Sequence, residues 1–416
     1  MNFDAIVLGA GMVGTSAALQ LTERGRRVAL IDRRGIGEET SYGNAGIVER
    51  ECLLPMAIPR DPWRLLRYAL NLAPEANYHP THLPRIAPFL WRLFEATGRS
   101  GLEAHARAID TLGRFAIPEH RRLAQAAEVS DVFRETGWLR LYRTKRGLAG
   151  DALLHDLADR FGIEHRRLEP EEARALEPDL KAGFHAGVFW PETQTVVWPE
   201  RVTKAYGRWF VERGGTFLTG DARSLRREDG LWVVGTDAGE AAAPTVVVAL
   251  GPWSVDLVSR FGLDLPVVAE RGYHRHYGSE RGARLTRPIV DVEAGYCLNP
   301  MERGLRLTTG IEFAGRDAPA TPRQLAQVEP MVRQIFPLGA PVEAEPWVGS
   351  RPATPDGLPV IGPAPGVPDL WLDFGHGYLG FTLGPISGRL VAEAIVGEPT
   401  LVDLTPFRAE RFGRRR

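Results

Sequence analysis

Residues 3–8 form a nearly unbroken apolar run, the pattern of a strand buried on both faces. Gly9, Gly11 and Gly14 follow at once, and then apolar positions recur at helical spacing through Leu21. Gly25 stands where a helix C-terminal glycine belongs, and a second strand over 27–31 ends at Asp32. These segments predict a βαβ unit at the start of the chain.

Beyond it, prolines at 74, 80, 84, 88 and 118 break a stretch rich in Trp, Leu, Arg and Ala, predicting helices over 63–72, 84–97 and 102–128. Helices are also expected at 151–160, 170–177 and 200–214. Short strands are expected at 216–219, 223–227, 231–235 and 245–250, and an antiparallel set at 267–271, 273–277, 294–298 and 305–311. A helix over 321–336 precedes a last strand at 370–374, a glycine-rich turn and a helix closed by Gly397. The order predicts an interleaved α/β fold. A nucleotide-binding domain occupies 1–80, 145–255 and 345–416, and an α+β substrate or cap domain with a mixed antiparallel sheet occupies 81–144 and 256–344.

Composition narrows the chemistry. The chain has 416 residues and a formal charge of −1, which argues against a nucleic-acid partner held by phosphate electrostatics. Only three lysines occur (Lys145, Lys181, Lys204), and none follows the glycine run of a phosphate-binding P-loop. Two cysteines, Cys52 and Cys297, build neither a disulfide framework nor a four-thiolate metal site, and they fit a reducing compartment. His274 with His276, and His79 with His82, lack acidic or thiolate companions, so no metal is expected. The start has no leader pattern and no apolar run reaches a membrane span, so a cytoplasmic protein is expected. The basic tail (Arg408, Arg411, Arg414, Arg415, Arg416) is a solvated end or a peripheral contact with an anionic membrane or partner.

The first loop carries the strongest motif. Gly9 permits the tight turn, Gly11 lets backbone amides approach a pyrophosphate, and Gly14 lets helix pack on strand. Ala10, Met12 and Val13 supply the rest of a cradle at a helix N-terminus, and Asp32 accepts from ribose hydroxyls, with Arg33 beside it. The small polar segment Ser41-Tyr42-Gly43-Asn44-Ala45-Gly46 suits a loop that wraps a flavin diphosphate.

With this segment the chain resembles the D-amino-acid oxidase family of FAD-dependent oxidoreductases, and most closely its D-amino-acid dehydrogenase branch. Three further blocks, in the family's order, carry the resemblance: Ala249-Leu250-Gly251-Pro252-Trp253-Ser254, Arg351-Pro352-Ala353-Thr354-Pro355-Asp356-Gly357, and Gly375-His376-Gly377-Tyr378-Leu379-Gly380. The resemblance implies a Rossmann-like, GR2-type FAD-binding domain with the substrate domain threaded through it. It implies FAD contacts at Arg223, Gly251, Trp253, Gly377, Tyr378, Leu379, Gly380 and Thr382 besides the first loop. It places the family's carboxylate-binding arginine at Arg351, with Tyr273, His274 and Tyr296 as candidate neighbours. Gly349 stands near the place where sarcosine-oxidase relatives carry a flavin-linked cysteine, so noncovalent FAD is expected.

The implied reaction is oxidative deamination of a D-amino acid, proline-like ones included, by hydride transfer from Cα to flavin N5. Electrons would pass to a quinone or a partner carrier. A glycine- or sarcosine-type oxidase making peroxide, and a flavin relay subunit without its own substrate, are the alternatives. Some oxidases of the wider family place a lysine over the flavin to promote reaction with oxygen. Arg306 falls in that region here, which favours a dehydrogenase.

Overall fold

The computed structural model describes residues 1–413. Arg414, Arg415 and Arg416 of the basic tail lie outside the described residues, and Arg411 is no free end, because its Nε donates to Asp356 Oδ2 at 2.7 Å.

A six-stranded sheet forms the centre of one half. Its order is Thr216–Thr219, Val28–Asp32, Ala5–Leu8, Thr245–Val248, Leu370–Phe374 and Val360–Pro363. The first five are parallel and the last is antiparallel. Strand alternation divides the apolar residues between two cores. Val7 and Leu30 face the helices Met12–Glu23, Pro199–Glu212 and Gly380–Val396, whereas Ile6, Leu8, Ile31 and Val248 face a small sheet carrying Trp232 and Val234.

The helices approach through small residues. A Cβ on Gly388 would stand 2.5 Å from Ala17 N, so Gly380–Val396 lies directly against Met12–Glu23. The segment Gly377–Val396 is long and apolar enough to cross a membrane, yet most of it is buried inside this molecule. Arg99–Ala126 closes over the same helix, with His120 Nε2 2.8 Å from the Phe381 carbonyl.

The other half is an eleven-stranded mixed sheet. Leu338–Pro341 and Trp347–Ala353 pair with the long strand Val268–Ser279, which continues across Gly304–Thr308, Tyr296–Met301, Ile289–Asp291, Trp138–Tyr142, Ala186–Trp190 and Arg166–Leu168. The expected boundaries are therefore redrawn. Residues 166–168, 186–190 and 347–353, expected in the nucleotide-binding domain, belong to the cap sheet, while the expected cap helix over 102–128 packs on the nucleotide-binding half. The two strands expected over 267–277 are one strand, unbroken at Gly272. The strand Gly239–Ala243 was not anticipated, because its Ala-rich sequence lacks β-branched residues.

Candidate active site

One cavity of about 1270 Å³ runs between the two halves, larger than the roughly 300–1,000 Å³ of an ordinary ligand pocket. At one end Gly9, Gly11, Met12, Val13, Asp32, Arg33, Ser41, Asn44, Ala45, Arg223, Gly251 and Trp253 line it, and at the other Arg351, Gly377, Tyr378, Gly380 and Thr382. Most of the sequence-predicted residues thus meet around one space.

The glycine loop is shaped by close approach. Gly9 has φ +103°, and a Cβ there would collide with the Ala249 carbonyl, while a Cβ on Gly14 would collide with the carbonyl of Gly9. Met12 N–H donates to Ser41 Oγ at 2.9 Å, tying the second loop to the helix N-terminus. Ala10 N–H donates to Asp32 Oδ2 at 2.7 Å and Arg34 N–H to Oδ1 at 2.9 Å. Burial raises the Asp32 pKa, and those two hydrogen bonds oppose the rise. Arg33 lies 4.4 Å over the Trp253 ring. Ala10, Gly14, Gly46 and Leu379 do not line the cavity; they shape the turns and helix contacts around it.

The other end is built on the face of the cap sheet that carries Arg351. Arg351 pairs in register with Glu270, and its guanidinium lies over Gly272, where a Cβ would collide with it. Its Nη1 reaches the Gly310 carbonyl at 3.4 Å. Burial lowers the Arg351 pKa, and the charges of Glu270 and Tyr378 act against that. Glu270 is buried, and its carboxyl is pushed up to about 7, by burial first, with Arg351 opposing.

Of the three expected neighbours of Arg351, Tyr273 lines the cavity, and His274 and Tyr296 do not. Side chains alternate along a strand, so Gly272 on the cavity face sends Tyr273 to the opposite one. Tyr273 still borders the cavity, but its hydroxyl donates to Glu312 Oε2 at 2.7 Å and accepts from Arg271 Nη2 at 2.6 Å, so that group is already engaged within the cap sheet. Cys297 lines the cavity, and Tyr296 beside it therefore points into the core with Leu298 and Leu307. His274 is on the right face but is covered by Trp347, whose ring stacks on it at 4.8 Å, and it does not line the cavity. Arg306 does not line it either; it holds the Asn44 carbonyl at 2.5 Å and the Tyr42 carbonyl at 3.4 Å.

Glu49, Trp138, Val290, Cys297, Thr308 and Trp347 line the chamber without having been anticipated. They come singly from separate segments, so no local motif marked them. Only the alternation that put Tyr296 inward could have pointed to Cys297.

The chain matches the model of the FAD dependent oxidoreductase (DAO) family over residues 4–394. It is 30% identical over 415 residues to a D-amino-acid oxidase of Bradyrhizobium diazoefficiens, covering 98% of each. It is 29% identical over 412 residues to a D-amino acid dehydrogenase of Vibrio vulnificus, covering 95% of this chain and 96% of that relative. The crystal structure of glycine oxidase from Geobacillus kaustophilus shares the fold, with a TM-score of 0.76 at 21% identity over 99% of both chains. The chain belongs to the FAD-dependent oxidoreductase family.

The residues present fit that cofactor. The cavity connects the glycine loop and Asp32 to the N-terminal turn of Gly380–Val396, and the carboxyl of Asp373, buried in its wall, has His376 Nε2 3.6 Å from Oδ1. Burial raises the Asp373 pKa well above the usual carboxylate value, with a hydrogen bond from Ser387 opposing the rise.

Glu270 gives the site a pH dependence. Below pH about 7 it is neutral and leaves Arg351 to a bound carboxylate; above it, a second anion competes for that guanidinium. The affinity of the holoenzyme for a simple carboxylate ligand should therefore fall as pH rises through about 7, and Glu270→Gln should flatten the profile. Affinity that rises across that window in the native protein would refute this assignment.

Proposed function

We propose that the protein oxidatively deaminates a D-amino acid and passes the electrons to an acceptor other than oxygen. The observation that carries this reading is Arg351, a guanidinium in the wall of a cofactor-sized cavity with no ion-pair partner within bonding distance among the described residues. It binds the substrate carboxylate and fixes its plane, so that the Cα–H bond is held in one direction. When bound, FAD supplies the acceptor for the two electrons that leave with that bond. Tyr378, a residue 41% exposed that lines the cavity with Arg351, closes one side of the chamber, and Trp138, Val290 and Trp347 exclude water from it. The N-terminal turn of Gly380–Val396 turns its positive dipole end toward the same space. No side-chain acid or base is needed beyond a neutral substrate amine, and the imino acid hydrolyses in water to a keto acid and ammonia. The D-specific names of the curated relatives support the stereochemistry.

Arg351→Ala should weaken substrate binding by about 2–5 kcal/mol while flavin is retained. A relay subunit without its own substrate would keep its electron transfer in that variant, and this outcome would overturn the proposal.

Noncovalent attachment of FAD rests on Gly349 and on the state of Cys297. A side chain at Gly349 would collide with the Trp347 ring. Cys297 reaches the cavity, but burial and the charge of Glu49 push its thiol up to about 12, so it carries little thiolate. Mass spectrometry of the denatured protein should find the unmodified polypeptide mass, and a peptide carrying flavin would contradict this.

The acceptor assignment rests on the cavity wall, where no lysine occurs among the described residues. Turnover in air should release little peroxide compared with turnover on a quinone or dye acceptor. Peroxide formed at the full turnover rate would favour the oxidase alternative.

A further inference from the structure

Glu49 follows the short strand Ile47–Val48, is only 9% exposed, and lines the cavity. Among the described residues its carboxyl makes no hydrogen bond. Its neighbours have their own partners. Glu51 accepts from the Thr193 hydroxyl and from the Arg50 N–H at 3.1 Å, and Arg140 donates to Asp151 at 2.6 Å. Ile47, Trp138, Val290 and Cys297 line the same cavity and give it apolar surface. A carboxyl in such a wall without a hydrogen-bond partner is costly, and a ligand cation is the partner that removes the cost.

The sheet gives the distance at which that cation must lie. The Arg351 guanidinium covers Gly272 on the strand Val268–Ser279. Moving across the sheet, Thr308 pairs with Cys297, Cys297 with Val290, and Val290 with Arg140. The segment that leads into Glu49 is held two strands beyond Gly272, where Asn299 Nδ2 donates to the Ala45 carbonyl at 2.5 Å and to the Gly46 carbonyl at 3.2 Å. At roughly 4.8 Å per strand this is about 10 Å from the strand beneath the guanidinium. The carboxyl carbon and amino nitrogen of an α-amino acid are only about 2.5 Å apart. An amino acid anchored on Arg351 therefore reaches Glu49 with its side chain and not with its α-amine.

We propose that Glu49 makes the chamber selective for an amino acid whose side chain ends in an ammonium or guanidinium group, with the α-carboxylate on Arg351 and the side chain lying along the sheet toward Glu49. The inference rests on the reading of Arg351 as the carboxylate anchor. Burial and the nearby Glu51 hold the Glu49 carboxyl up at about 8, against Arg140, so the resting chamber carries little fixed charge there and gains an ion pair when a cation enters.

The test uses ligands that have no α-amine and so cannot be deaminated. Binding of 6-aminohexanoate and of hexanoate to the holoenzyme is measured by calorimetry. The native protein should prefer 6-aminohexanoate by about tenfold or more, Glu49→Gln should abolish that preference, and Glu49→Asp should keep part of it. Flavin absorbance confirms that each variant is folded. Equal affinities in the native protein, or a preference that survives in Glu49→Gln, would overturn the role of Glu49. Hexanoate that still binds, and loses affinity in Arg351→Ala, would show in that case that the carboxylate anchor stands. Failure of both ligands to bind would overturn the anchor and the selectivity together.

Discussion

Setting a guanidinium into a protein wall without a bonded counterion costs free energy that only the right ligand returns. Arg351 imposes this constraint, and the neighbouring backbone is fitted to it. Gly272 leaves room for the guanidinium, and Gly349, two residues before Arg351, leaves room for the Trp347 ring. Glu270, the cross-strand partner, tempers the charge without forming a tight pair. A fully ionised, bonded partner would have made Arg351 a structural residue. A carboxyl that ionises near neutrality leaves it available to substrate.

Chain order makes the two halves act as one site. The strand Trp347–Ala353 belongs to the cap sheet, and the strands Val360–Pro363 and Leu370–Phe374 that follow belong to the nucleotide-binding sheet. The next turn brings Tyr378 to the cavity and starts the helix packed against Met12–Glu23. One continuous segment thus links Arg351 to the turn at Tyr378 and to the glycine loop at the start of the chain. A shift in any part of it would be felt at both ends of the cavity.

Legibility in the sequence followed locality. The strand, glycine loop, helix and Asp32 lie within 32 residues, and their spacing alone predicts the strand–turn–helix–strand unit that the structure displays. The Arg351, Gly251-Trp253 and Gly377–Thr382 blocks were legible for the same reason. The chamber wall was not. Trp138, Val290, Cys297 and Thr308 come from four strands whose pairing no local pattern records. Tyr273 and His274 could not both have faced substrate, since adjacent residues in a strand point to opposite faces, and that rule was available without a structure. Which of the two faced inward required the register with Arg351, and His274 then proved to be covered by Trp347. The redrawn domain boundaries have a similar origin, because strands of both sheets alternate along the chain with little change in composition.

The most direct test is anaerobic mixing of the flavin-loaded protein with matched D- and L-amino acids of basic, neutral and proline-like side chain, following flavin absorbance. The account predicts rapid bleaching by D-enantiomers and no comparable bleaching by the L-forms. Absence of bleaching by every amino acid offered, from a protein that carries its flavin, would contradict it.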